Sequence, residues 1–271
     1  MPDEKKVVDH YGASYGHFAS DLSAEVRREA FGEDIGQNSW LTLGELERFI
    51  SFLDLKASSR ALDVGCGSGG PALHVVRRTG CQVVGVDVRE DAVANADRMA
   101  AEQGLDSRSS FRQVDGNSPL PFEDASFDAI MCIDSVNHLP GRLRVFADWA
   151  RLLRAGGRLL FTDPITVTGV LDSDEIAIRS SAGYYLFVPP GEDERLLAEV
   201  GLTVLTVEDT TENMAEVARR RHDARARRAD ALRQAEGDET FEGQQRFFEV
   251  AGRLARERRL SRLVYVAQKP S

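Results

Sequence analysis

The sequence predicts a doubly wound α/β domain: a seven-stranded, mostly parallel sheet with an N-terminal helical cap and a helical lid insertion. Three observations predict it. From residue 60 short β-rich runs alternate with helical patterns. A glycine-rich turn joins the first strand to the helix that follows, and an acidic residue stands at or just beyond the end of strand after strand. Right-handed crossovers wind such a sheet around its first strand, and ligands settle at the carboxyl ends of the strands.

The elements follow in order. "RALDV" (60–64) reads as the first strand, and "PALHVVRRT" after the glycines as a helix. "CQVVGVD" (81–87) is a second strand, and "EDAVANADRMAAEQG" a helix closed by Gly104 as its C-cap. "SSFRQVD" (109–115) and "FDAIMCID" (127–134) are the third and fourth strands, separated by the turn-rich "GNSPLPFEDAS". A helix over 141–157, "GRLRVFADWARLLRAGG", leads into the fifth strand, "RLLFTD" (158–163). Beyond it "SDEIAIRSSAGYYLF" and "GEDERLLAEVG" read as helices and "LTVLTVED" as a sixth strand. Residues 212–235 and 241–259 read as long polar helices, and "LSRLVYVAQKP" as a reversed final strand at the sheet edge. The chain thus divides into a cap (1–55), a ligand-binding core (56–164), lid helices with the sixth strand (165–259) and the last strand (260–271), as one continuous domain. Gly65, Asp87, Asp115, Asp134 and Asp163 are expected to open onto one rim.

Composition narrows the function classes. The 271 residues are 42% hydrophobic and 29% charged, as in an ordinary globular protein. No apolar run approaches the roughly 18 residues a membrane span needs. The N-terminus "MPDEKKVVDHYG" is polar without an apolar signal region, so a cytoplasmic location is expected. A net charge of −10 disfavours phosphate backbones, so no nucleic-acid partner is expected. Cys66, Cys81 and Cys132 are isolated, with no metal-ligand spacing, and are read as reduced thiols. The histidines form no cluster in the sequence, and no metal site is expected.

"ALDVGCGSGG" (61–70) carries two nucleotide-binding patterns at once. Gly65, Gly67 and Gly70 spell the G-x-G-x-x-G of dinucleotide-binding oxidoreductases. Asp63, Gly65, Gly67 and Gly69 spell D-x-G-x-G-x-G, the pattern of S-adenosylmethionine (AdoMet) methyltransferases. Both use glycine for a tight turn with close backbone approach at a helix N-terminus. A carboxylate at Asp63 would face a pyrophosphate unfavourably but suits the ammonium of a methionine moiety. Asp87, ending the second strand, can bind both ribose hydroxyls in either cofactor. "VDGNSPLPFEDASFDAIM" then matches a methyltransferase pattern without an oxidoreductase counterpart.

On these ordered motifs over residues 60–163 the chain resembles class I AdoMet-dependent methyltransferases of Rossmann-like fold. The resemblance is to the small-molecule group that includes ubiquinone/menaquinone, sterol, phosphoethanolamine, sarcosine/dimethylglycine and sugar O-methyltransferases, and it continues more weakly through "LLAEVGLTVLTVED" and the last strand. It implies AdoMet as cofactor, S-adenosyl-L-homocysteine (AdoHcy) as product and a small-molecule acceptor. The cofactor-binding set it implies is Asp63, Gly65, Gly67, Gly69, Asp87, Val88, Asp115, Gly116 and Asp134, with Asp115 on the adenine amino group. "FGEDIGQNSWLTL" (31–43) resembles the segment that closes over AdoMet in amine methyltransferases. Gln37 and Asn38 would then bind the methionine carboxylate and Trp40 shield the sulfonium. His138 in "IDSVNHLPG" is the expected general base or orienting group, and Asp163 in "FTDPI" its partner or an acceptor ligand.

The expected function is methyl transfer to nitrogen or oxygen of a small metabolite. Carbon methylation of a quinone- or sterol-like acceptor and a non-catalytic AdoMet-binding module are the alternatives, with an NAD oxidoreductase disfavoured. Tyr11 and Tyr15 read as packing residues of the cap, "ARRRHDARARR" (218–228) as a solvated face, and the apolar "YYLFVPP" as part of a greasy pocket.

Overall fold

The structure, a computed structural model, describes residues 10–271; positions 1–9 of the expected cap lie outside the described residues. Three helices come first: α1 (His10–Gly16), α2 (Asp21–Phe31) and α3 (Leu43–Phe52). The hydroxyls of Ser20 and Thr42 accept from the N–H groups of Ser23 and Glu45 and so cap the last two. Then β1 (Arg60–Val64), α4 (Gly70–Thr79), β2 (Gln82–Asp87), α5 (Glu90–Glu102), β3 (Ser109–Gln113) and β4 (Phe127–Cys132) alternate as expected. A 3₁₀ turn over Val136–His138 precedes α6 (Arg142–Leu152) and β5 (Leu153–Val167). The remainder is α7 (Ser173–Arg179), α8 (Glu192–Glu199), β6 (Thr203–Asp209), α9 (Thr211–Ala226), α10 (Ala229–Glu236), α11 (Asp238–Arg256) and β7 (Leu260–Gln268).

The seven strands form one sheet in the order β3-β2-β1-β4-β5-β7-β6. Only β7 runs antiparallel to its neighbours. The last strand is reversed but does not lie at the edge: it is inserted between β5 and β6. Its side chains explain this. β7 is buried along nearly its whole length, whereas β6 alternates exposed and half-buried positions, the pattern of a strand open on one side.

Period-two alternation divides the core between the two faces of the sheet. Leu62, Val64, Ile130, Cys132, Leu159 and Phe161 pack with Phe146 and Trp149 of α6 and Leu197 of α8. Ala61, Val83, Ala129, Met131 and Leu160 pack on the other face with Leu73 and Val76 of α4 and Phe49 of α3. A third cluster joins cap to late helices through Phe31, Trp40, Met214, Phe247 and Phe248.

Helix lengths depart from expectation in three places. The helix over 141–157 ends at Leu152, because the chain already runs extended from Leu153 and Gly156 takes a φ of 75°. The segment 173–187 is helical only to Arg179, started by a reciprocal capping box between Asp172 and Glu175. Residues 180–187 then cross irregularly over the strand ends, where the Leu186 N–H donates to the Asn137 carbonyl. Finally, residues 212–235 divide into two helices at Arg227 and Arg228.

Candidate functional site

The glycine turn sits above the sheet rim and is shaped by its neighbours. Gly67 holds a φ of 53°, and a Cβ there would stand 2.9 Å from the Tyr15 hydroxyl. At Gly65 a Cβ would collide with the Ser135 side chain. Asp87 at the end of β2 braces the turn: one carboxylate oxygen accepts from the Gly67 N–H (2.9 Å), the other from the Arg89 N–H (3.0 Å). Gly69 then leads into α4, whose N-terminus faces the turn.

A cavity of about 340 Å³ opens beside this turn. Gly65, Asp87, Val88, Asp115, Gly116 and His138 line it. Val88 leaves 60% of its surface exposed, an apolar side chain at a strand end against which a flat ring can lie. Asp115 is fixed by its own turn, accepting from the Asn117 N–H and the Ser118 hydroxyl.

A smaller cavity of about 50 Å³ continues from the first and adds Asp63, Gly67, Asn38 and Asp134. Asp63 is buried. Loss of solvent, and secondarily the Asp87 carboxylate, push its pKa up to about 8, with no cation facing it among the described residues. A buried acid in that condition is complementary to an ammonium.

His138 stands on the 3₁₀ turn after β4. Its Nδ1 lies 2.8 Å from the Tyr184 carbonyl, which only accepts, so Nδ1 carries the proton. Its Nε2 lone pair therefore accepts from the Tyr11 hydroxyl, also at 2.8 Å. Burial lowers the imidazole pKa, outweighing the carbonyl bond that raises it, so the ring is neutral at physiological pH. Tyr11 is hydrogen-bonded in turn to Tyr185.

Tyr11 also lines a third cavity of about 60 Å³, walled by Trp40, Tyr185, Phe247, Phe248, Asn137 and Arg179. All three cavities thus meet at one phenol. Trp40 stacks on Phe247 (6.2 Å between centroids) and meets Phe248 edge-on. Arg221 lies over the Phe248 ring and donates to Asn38 Oδ1 (2.9 Å).

Several expected positions fall elsewhere. Asp163 does not meet His138. It lies on the same face of β5 as Phe161, fully buried, and accepts from Arg142, which also bonds Asp193. Strand alternation sends Thr162, not Asp163, towards Asp134. Gln37 is buried within its own loop, accepting from the Ile35 N–H and donating to the Glu33 carbonyl, and lines none of these cavities. Asp134 reaches the site with its carboxylate already engaged by Arg262, Thr162 and the Trp40 N–H. The tyrosines read as packing residues, Tyr11 and Tyr15, line the cavities. The arginine run divides by helical phase: Arg219 and Arg220 pair with Glu216 in solvent, whereas Arg221 turns inward. Arg179 carries no sequence signal of a site, whereas Tyr185 belongs to the apolar "YYLFVPP" expected to line a pocket. Among the described residues no three potential ligands gather for a metal, and no helix is long and apolar enough to cross a membrane.

The sheet order, the glycine turn over Asp87 and the acid-lined rim are those of an AdoMet-binding methyltransferase fold, and the comparisons agree. The methyltransferase-domain family model matches residues 62–161. The 27-O-demethylrifamycin SV methyltransferase of Amycolatopsis mediterranei is 31% identical over 220 residues, 77% of this chain and 79% of that protein. The sterol 24-C-methyltransferase ERG6B of Gibberella zeae is 31% identical over 64% of this chain, which spans 47% of that longer protein. The Haemonchus contortus phosphoethanolamine N-methyltransferase 2, solved with phosphomonomethylethanolamine and S-adenosylhomocysteine, superposes over 98% of this chain and 61% of its own at a TM-score of 0.81 and 21% identity. The chain belongs to the class I AdoMet-dependent methyltransferases. It is an enzyme of the small-molecule group, with AdoMet as its methyl donor.

Proposed function

We propose that this enzyme methylates an O–H or N–H group of a small molecule and that His138 receives the departing proton. The observation that carries this is the His138 tautomer: a neutral ring whose Nε2 lone pair faces the junction of the three cavities.

The residues fit AdoMet part by part. Asp87 would take the ribose hydroxyls; Val88, Asp115 and Gly116 would border the adenine; Gly65, Gly67 and Gly69 would give the backbone clearance. Asp63 would meet the ammonium, and Asn38 the carboxylate of the methionine end. Asp134 borders the same end, Trp40 stands in the adjoining third cavity, and late helices α7 and α9–α11 would serve as the lid. Bound AdoMet supplies an electrophilic methyl on a sulfonium, so the chain need only align and protect the acceptor. Alignment of that kind is worth about 7–11 kcal/mol of a barrier. Tyr11 would yield its place on Nε2 to the acceptor, whose proton passes to His138 as its lone pair takes the methyl.

His138→Ala should lower turnover by about 10²–10⁴ while leaving AdoHcy affinity unchanged. The check is methyl-labelled AdoMet offered to a panel of phenols, hydroxy acids and amines, with AdoHcy binding followed by calorimetry. Undiminished turnover in the variant would remove His138 from the reaction.

A further inference from the structure

The third cavity contains an unanswered charge. Arg179 is 1% exposed, and among the described residues none of its three guanidinium nitrogens has a hydrogen-bond acceptor. Aromatic faces hold it instead: its carbon lies 4.6 Å from the Phe247 centroid, 5.5 Å from that of Tyr185 and 5.9 Å from that of Trp40. Those rings fix the plane of the fork but accept none of its N–H bonds. In the same cavity the buried Asn137 side-chain oxygen is an acceptor without a donor. Buried polar groups in native proteins are rarely left unpaired, and a guanidinium least of all.

No neighbour among the described residues supplies the missing counter-charge. Asp134 borders the cavity but is held by the fully buried Arg262, which Glu45 also serves. Arg221, which lines the same cavity, adds a second positive charge and donates to Asn38 and the Ser39 carbonyl. The cavity shares Tyr11, Asn38, Ser39 and Asp134 with the one beside Asp63, where the sulfonium end of AdoMet is placed above. An uncharged acceptor would leave that sulfonium and Arg179 near each other without an anion between them. A planar fork with free N–H groups is the partner of a carboxylate or phosphate, which it binds through two parallel bonds.

We infer that the methyl acceptor is an acid: a small molecule with an aromatic or apolar body whose carboxylate or phosphate is bound by Arg179 and whose reacting O–H or N–H reaches His138. This rests on the proposed methyl transfer beside His138 and adds that the acceptor's body occupies the third cavity, which Tyr11 joins to the cofactor's. It makes Arg179 a specificity-determining residue, and it explains how a chain of net charge −10 attracts an anion: through a buried cation screened from the acidic surface.

The test uses full-length enzyme saturated with AdoHcy and three probes: 4-hydroxybenzoate, phenyl phosphate and the neutral 4-hydroxybenzamide. Binding is read from the fluorescence of Trp40 in a Trp149→Phe background. At least one of the acids should bind about tenfold or more tightly than the amide, and which of them does so tells carboxylate from phosphate. Arg179→Gln should abolish the preference and Arg179→Lys retain part of it. Arg179→Met should also raise the melting temperature of the ligand-free enzyme by about 2–4 °C, because an unpaired buried charge is replaced by an apolar chain. A merely structural arginine would behave oppositely, with a lowered melting temperature and an unchanged acid preference. Equal binding of acids and amide overturns the inference while leaving the acceptor cavity in place. Failure of all three probes to perturb Trp40 while AdoHcy binds overturns both the inference and the placing of the acceptor.

Discussion

Arg262 and Arg179 are the same residue at the same depth in opposite circumstances. Arg262 is fully buried on β7 and donates to Asp134, Glu45 and Thr210, so that one guanidinium ties the end of β4, the cap helix α3 and the strand itself together. Arg179, at the end of α7, is as buried and donates to none of the described residues. The first belongs to the floor of the site, whose charges are balanced by the fold. The second belongs to its wall, whose balance is left to a ligand. Burial alone therefore does not tell a structural cation from a recognising one; the count of acceptors around it does.

The largest test of that contrast is Arg262→Met. It strands two carboxylates, Asp134 and Glu45, in a site where burial already raises the Glu45 pKa. Breaking one side of a buried ion pair costs about 3–5 kcal/mol, so urea denaturation should show a loss of that size. The same substitution at Arg179 is expected to stabilise. If the two variants moved stability in the same direction, the distinction between floor and wall would fail.

The floor was legible in the sequence and the wall only in part, through Trp40 and "YYLFVPP", for a physical reason. Gly65, Asp87, Asp115 and Asp134 follow the ends of successive strands, and doubly wound topology brings strand ends to one rim whatever the helices do. A local pattern then fixes a place in space. Arg179, Tyr185, Arg221 and Phe247 lie on three late segments that meet only because cap and lid fold over the rim, and nothing in "EIAIRSS" separates a buried arginine from a solvated one. Asp163 failed for a finer reason. The fifth strand was expected to end at Asp163, but β5 runs on to Val167, so the carboxylate sits within the strand, and its face follows only from alternation counted residue by residue from Phe161. Gln37 failed because a polar side chain in a tight loop can bond its own backbone.

A test of intermediate size concerns Asp63, a buried acid of the floor with no cation beside it among the described residues. Its pKa is about 8 in the free enzyme, against about 3.9 for an unfolded chain. The folded state thus holds a proton that the unfolded state has lost, and this group's contribution to stability falls as pH rises from about 4 to about 8. Cofactor binding reverses the preference, since an ammonium beside the carboxylate favours its charged form and the proton is expelled. AdoHcy affinity should rise with pH between 5.5 and 7.5, by up to about tenfold per unit where the free acid is protonated. Calorimetry in buffers of different ionisation enthalpy reads the released proton directly. Asp63→Asn should flatten the slope; a flat profile in the parent enzyme would mean that Asp63 does not meet the ammonium.

The smallest expected effect sharpens the boundary between floor and wall, because it falls on the residue common to all three cavities. Tyr11→Phe keeps the ring, which stacks on Tyr15 at 6.1 Å and meets His138 edge-on at 5.5 Å, and removes the hydroxyl that sits on His138 Nε2 and also bonds Tyr185. The tautomer survives, because the Tyr184 carbonyl still holds the Nδ1 proton. What disappears is a hydrogen bond of about 0.5–1.5 kcal/mol that the acceptor must displace to reach the base. The acceptor KM should therefore fall by about two- to tenfold, with kcat and AdoHcy affinity nearly unchanged. Should kcat drop instead, Tyr11 holds His138 in place during transfer rather than guarding it beforehand, and the phenol belongs to the floor.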